Sequence, residues 1–151
     1  MESLHVKLGF TGKLVVESVG KSGGLCLFWS GGILVDLLRF SRYHIDVKVL
    51  SHVSLVWCLT GFYGNSVLEQ HCHSWTLLRC LRKMSQQPWL CVGDFNEVFV
   101  DDEKQGGLVK PWKLLEDFRN ALDSCELDDM GFRGSAFTWS NRRSGVDLIH
   151  E

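Results

Sequence analysis

The stretch Pro88-Trp89-Leu90-Cys91-Val92-Gly93-Asp94-Phe95-Asn96-Glu97-Val98 decides the fold. Trp89 to Val92 is a short apolar run with the length and character of a strand buried on both faces. Gly93 ends it and lets the backbone turn without a Cβ clash. Asp94 and Asn96 follow at once, at the carboxyl end of a buried strand, where α/β sheets place chemistry. Two residues apart on an extended segment, they point to one side. A carboxylate there can orient or deprotonate a water, and an amide there can hold a substrate oxygen or a metal-bound water. The same spacing fits an Asx turn in which Asp94 only caps the segment Glu97-Val98-Phe99.

Upstream of Pro88 the chain reads as a helix. From Leu68, apolar residues recur at Trp75, Leu78 and Leu81, with Arg79, Arg82 and Lys83 toward the end, where cations complement the helix dipole. Before it lies a run of strands with short turns: Lys13–Val19, Leu25–Trp29, Ile33–Leu38, His44–Leu50 and Val53–Tyr63. His44–Leu50 alternates Ile45, Val47 and Val49 against Asp46 and Lys48, which predicts a half-exposed strand. Gly20-Lys21-Ser22-Gly23-Gly24 is a turn; it lacks the spacing and following helix of a phosphate loop. Tyr63 closes the last of these strands between Gly61 and Gly64. A phenol there can donate to a phosphate oxygen, or simply pack at the core edge.

Downstream, Asp101-Asp102-Glu103-Lys104 beside Gly106-Gly107 reads as an exposed loop. A second helix starts at Pro111 and is expected to bury Trp112, Leu115, Phe118 and Leu122. Phe137–Ser140 and Val146–Ile149 are predicted as short strands around a turn at Asn141-Arg142-Arg143-Ser144-Gly145. The two arginines fit a solvated turn better than a phosphodiester contact. Strands followed by strand–helix–strand–helix–strand predict an α/β (α+β mixed) domain in which two mixed sheets pack together with helices outside.

Composition sets the class. The 151 residues suffice for one domain with a sizeable core, and 45% hydrophobic with 23% charged residues is ordinary for a globular protein. A formal net charge of -2 gives no basic signature for nucleic acid. No apolar run is long enough to span a bilayer, and the first residues lack the pattern of a signal peptide. The expectation is an intracellular protein with reduced thiols. Its six cysteines are scattered without a C-x-x-C pair. Cys26, Cys58 and Cys91 read as small buried hydrophobes, and His71-Cys72-His73 as a helix turn rather than a zinc site.

Several motifs agree in order: Ser22-Gly23-Gly24-Leu25, Leu59-Thr60-Gly61-Phe62-Tyr63-Gly64, Pro88 to Glu97, Glu103-Lys104-Gln105-Gly106-Gly107, and Gly134-Ser135-Ala136-Phe137-Thr138-Trp139-Ser140-Asn141. Together they resemble the endonuclease/exonuclease/phosphatase superfamily, in particular the endonuclease domain of plant-type non-LTR retrotransposons. The resemblance runs from about Gly9 to Glu151. It implies a four-layer sandwich of two mixed β-sheets with helices outside, partial here. It implies hydrolysis of DNA phosphodiesters assisted by a divalent metal, usually Mg2+, and it makes the nucleus a compatible location. It assigns Asp94 to positioning or activating the attacking water, Asn96 to holding the phosphate and its metal, and Tyr63 to contacting the scissile phosphate. Asp94 and Asn96 are thus the implied metal ligands. The superfamily's early Asn, its metal-binding Glu, its late Asp and its Asp-His pair have no counterparts in these residues. Glu2, Glu17 and His150 do not replace them. The expectation is a fragment, truncated at both ends, of a retrotransposon-derived endonuclease domain, with little or no activity alone. The alternative is a non-catalytic folded remnant or a weak nucleic-acid-binding protein.

Overall fold

The computed structural model describes residues 4–18, 20, 24–50 and 55–150. The order is α1 (Leu4–Lys7), β1 (Gly12–Val16), β2 (Leu25–Trp29), β3 (Leu34–Ser41), β4 (His44–Leu50), β5 (Val56–Tyr63), α2 (His71–Lys83), β6 (Trp89–Asp94) and α3 (Trp112–Ser124). The ends predicted at Val19 and Val53, and the turn residues Lys21 to Gly23, lie outside the described residues.

The chain has the α/β character the sequence predicts, with two sheets. Strands β1 and β2 form an antiparallel pair, so this smaller sheet is not mixed. The larger sheet has the order β3-β4-β5-β6, antiparallel except for the parallel pair β5–β6. Helix α2 is the crossover that a parallel pair requires.

Alternation along the strands divides the side chains between two cores. Ile45, Val47 and Val49 face the small sheet and pack with Leu14, Val16, Leu25, Leu27, Trp57 and Leu59. The opposite face of the large sheet carries Phe62, which packs with Trp75 and Leu78 of α2 and with Phe118, Ala121, Leu122 and Cys125 of α3 or its end. Each fully buried side chain of this size removes apolar area worth about 1.5–3 kcal/mol from water. On the outer face of the small sheet, the Phe28 ring lies 6.0 Å from both the His5 and Phe10 rings. The single turn of α1 thus begins an outer layer opposite α2 and α3.

Three burial expectations are corrected. Asp46 is buried rather than half-exposed, enclosed by polar partners on its own face of the sheet. It accepts a hydrogen bond from Thr60 Oγ1 at 2.9 Å and pairs with Arg39 Nε at 3.3 Å, while Trp89 Nε1 donates to Thr60 Oγ1 at 2.8 Å. Trp112, the first residue of α3, is 63% exposed rather than buried. The Arg119 guanidinium lies over its ring at 5.2 Å, and Ala121 and Cys125 complete the buried stripe instead. Cys26 is exposed on the outer side of β2, whereas Cys58 is buried and Cys91 half-buried. Burial pushes the Cys91 thiol up to about 12, with Cys125 and Asp46 adding to the shift.

The central strand is also less covered than predicted. β6 is a sheet edge, and Val92 on it is 55% exposed. Nor do the two late strands form. Only isolated bridges join Ser140 and Gln105 to His150, and Gly145–Asp147 is a short 3-10 turn. The Asn141 side chain takes the backbone partners a ladder would need. It accepts from Arg143 and Ile149 N–H, each at 3.1 Å, and donates to the Asp147 carbonyl at 2.7 Å.

His44 yields a pH prediction. It is 6% exposed, bonds Ser41 Oγ through Nδ1 at 2.8 Å, and leaves Nε2 buried with no hydrogen-bond partner among the described residues. Burial holds its imidazole below the ordinary 6.5, outweighing the upward pull of Asp46, and Arg39 lowers it further. The unfolded chain therefore takes up this proton first as pH falls. The stability His44 lends is present above about 6.5 and declines below it. The urea midpoint should drop between about pH 7.5 and 5.5, and drop less in His44→Gln; equal drops would show that His44 is not the group responsible.

Candidate active site

The parallel register brings Tyr63 directly opposite Asp94, at the carboxyl ends of β5 and β6. By alternation, Tyr63 continues the row of Trp57 and Leu59, and Asp94 the row of Leu90 and Val92, on the side of the large sheet that faces β1 and β2. The backbones stay bonded beyond the strands, since Gly64 N–H donates to the Asp94 carbonyl at 2.7 Å. Asn96 then donates through Nδ2 to the Gly64 carbonyl at 2.8 Å. The three sequence-predicted residues therefore share one rim.

Two glycines permit this closeness. A Cβ on Gly64 would meet the Phe95 carbonyl oxygen at 1.9 Å, and one on Gly93 would meet the Phe62 oxygen at 1.8 Å. Gly93 also has φ +151.

The turn after β6 is an Asx turn. Asp94 Oδ1 accepts the Asn96 N–H at 2.9 Å, and Asn96 sits at φ 54, a left-handed conformation that Asn tolerates. The capping turn is thus present, and it fixes the candidate groups as well. One Asp94 oxygen is committed to the turn, while the other makes no hydrogen bond or ion pair among the described residues. Asp94 itself is exposed. With its amide NH2 turned to Gly64, Asn96 presents Oδ1 away from that bond. The Tyr63 hydroxyl makes no hydrogen bond among the described residues.

Glu97, next in the chain, holds the turn from behind. Its carboxylate is completely buried, bonds His71 Nδ1 at 3.2 Å, pairs with Lys110 Nζ, and accepts the Val98 N–H at 3.0 Å. Asn65 makes a second anchor. Its N–H donates to Ser74 Oγ at 2.8 Å, its Nδ2 to Gln70 Oε1 at 2.8 Å and to Tyr43 Oη at 3.4 Å, and its Oδ1 accepts Val67 N–H at 3.0 Å. Sequence reasoning missed both residues. The only signals were a Glu at the head of an apolar run and an Asn after Gly64.

Among the described residues, no three His, Cys, Asp or Glu side chains gather in a group that could hold a metal ion. His71 is buried against Glu97, and Cys72 and His73 are exposed, as a helix turn requires. Asp94 would offer a magnesium ion one hard oxygen anchor with Asn96 Oδ1 beside it, and phosphate or water oxygens would have to supply the rest. The arginines at 142 and 143 lie on an exposed turn. Among the described residues, no helix is long and apolar enough to cross a membrane. No protein-family model and no curated protein matches the chain.

Two substitutions test this construction. Gly93→Ala should cost on the order of 2 kcal/mol or more, because the new Cβ has only backbone to displace. Glu97→Gln should cost about 3–5 kcal/mol by leaving Lys110 and His71 facing a neutral group in a dry site, and a second change, Lys110→Met, should recover part of it. Urea unfolding reads both. A neutral Gly93→Ala would mean the strands are not this close.

Proposed function

We propose that the chain carries part of a magnesium-dependent phosphodiesterase site of the endonuclease/exonuclease/phosphatase kind, derived from a retrotransposon. On its own it binds nucleic-acid phosphate with little or no cleavage. The observation that supports this reading is the pairing of Tyr63 with Asp94 at the ends of two parallel strands, with Asn96 tied to Gly64 beside them. The phenol can donate to a phosphate oxygen, the outer Asp94 oxygen can hold a water or an ion, and Asn96 Oδ1 can accept from ion-bound water. Magnesium, when bound, supplies positive charge against the phosphate oxygens.

The superfamily's second carboxylate anchor and its histidine have no counterpart in this sequence. Losing a preorganised donor costs about 10²–10³ in rate and losing a general acid–base group about 10²–10⁴. Groups that act as a unit fail together, so the losses do not simply multiply. Cleavage should still fall to background. The Asx turn favours a second reading, in which Asp94 and Asn96 only shape the chain.

Supercoiled plasmid and abasic-site DNA, incubated with the chain and magnesium or manganese, separate the readings. Cleavage should stay at background in wild type and in Asp94→Ala alike, while a metal-dependent gain in DNA binding appears only in wild type. Cleavage abolished by Asp94→Ala would show a working enzyme. Identical metal response in both proteins would leave only the turn.

A further inference from the structure

At the same rim, the turn between β3 and β4 consists of Arg42 and Tyr43. Its placement beside the candidate site is direct, because the Tyr43 carbonyl accepts the Tyr63 N–H at 2.8 Å. The Arg42 guanidinium lies over the Tyr43 ring at 4.8 Å. Arg42 is exposed and forms no ion pair among the described residues. By contrast, nearby Arg39 is taken up by buried Asp46.

The turn is held rather than loose. Ser41 Oγ accepts the Tyr43 N–H at 3.1 Å and bonds His44 Nδ1 at 2.8 Å. The Tyr43 hydroxyl is met by Asn65, which is 7% exposed and bonded to Ser74 and Gln70. Stacking on a fixed ring restricts the guanidinium while leaving its N–H groups in water, ready for an anion. A planar fork of this kind suits the two free oxygens of a phosphodiester. With a net charge of -2 the chain has no general attraction for a polyanion, so its affinity must come from placed cations.

We propose that Arg42, stacked on Tyr43, binds a backbone phosphate of a nucleic-acid strand lying across the Tyr63–Asp94 rim. The proposal rests on the functional reading above, and it assigns the contact to the hairpin turn, a part of the chain that carries none of that reading's residues. Arg42 contacts the phosphate flanking the one that Tyr63 faces. It contributes electrostatically and without regard to sequence, as phosphate contacts do.

Fluorescence anisotropy of a labelled duplex oligonucleotide, titrated with wild type, Arg42→Ala, Tyr43→Leu and Asp94→Ala across salt concentrations, tests it. A single lost phosphate contact lowers the slope of log affinity against log salt by about 0.9. That decrease is expected in Arg42→Ala, with a smaller loss of affinity in Tyr43→Leu, where the cation remains but its platform is gone. Thermal melts establish that each variant is folded; Arg42 is exposed, so its removal should leave the melt unchanged. An unchanged slope in Arg42→Ala overturns the proposal, as does absence of duplex binding by wild type. If Arg42→Ala lowers the slope while Asp94→Ala leaves the metal response intact, the Arg42 contact stands and the metal reading falls. The reverse pattern removes Arg42 alone.

Discussion

The parallel contact between β5 and β6 is the constraint on which the rest depends. Two backbones meet there so closely that neither Gly64 nor Gly93 has room for a Cβ. Because the pair is parallel, both strands end at one rim, and their last residues, Tyr63 and Asp94, become neighbours. An antiparallel pair would have sent them to opposite ends. The crossover helix α2 makes the parallel arrangement possible, and its buried Trp75 and Leu78 hold it against Phe62 of β5.

The loop that follows β6 is held by polar groups of several elements. Asn96 reaches back to Gly64, while Glu97 reaches inward to His71 on α2 and to Lys110 ahead of α3. A fully buried carboxylate is costly to desolvate, and its partners here offset that cost. The result is a turn anchored on both sides whose outer groups face water. One fixed carboxylate with free coordination space is well suited to sharing an ion with a phosphate and poorly suited to holding one alone.

Much of this was legible in the sequence because it follows from local rules. The strand at His44–Leu50 with Ile45, Val47 and Val49 on one buried face and the apolar spacing of Trp75, Leu78 and Leu81 survive in the structure, whereas β6 runs on through Gly93 to Asp94 instead of ending at the glycine. What failed was decided by long-range packing. Asp46 looks like an outward residue until Thr60 and Arg39 are seen to enclose it, and Trp112 looks like a core residue until it is seen exposed under Arg119. Phe137–Ser140 has strand composition, but strand composition needs a neighbour, and Asn141 supplies side-chain bonds in place of one. For the candidate site, sequence reasoning identified Tyr63, Asp94 and Asn96. It missed Glu97, Asn65 and the Arg42–Tyr43 turn, whose roles depend on partners far along the chain.

The central claim is that the Tyr63–Asp94 rim takes a divalent ion. Amide NMR signals of the chain under manganese titration address this most directly, since a bound paramagnetic ion broadens only what lies near it. Selective early broadening of Gly64, Asp94, Phe95 and Asn96, absent in Asp94→Ala, is the predicted result. Broadening centred on the exposed pair Asp101 and Asp102, with the rim unaffected, would contradict it.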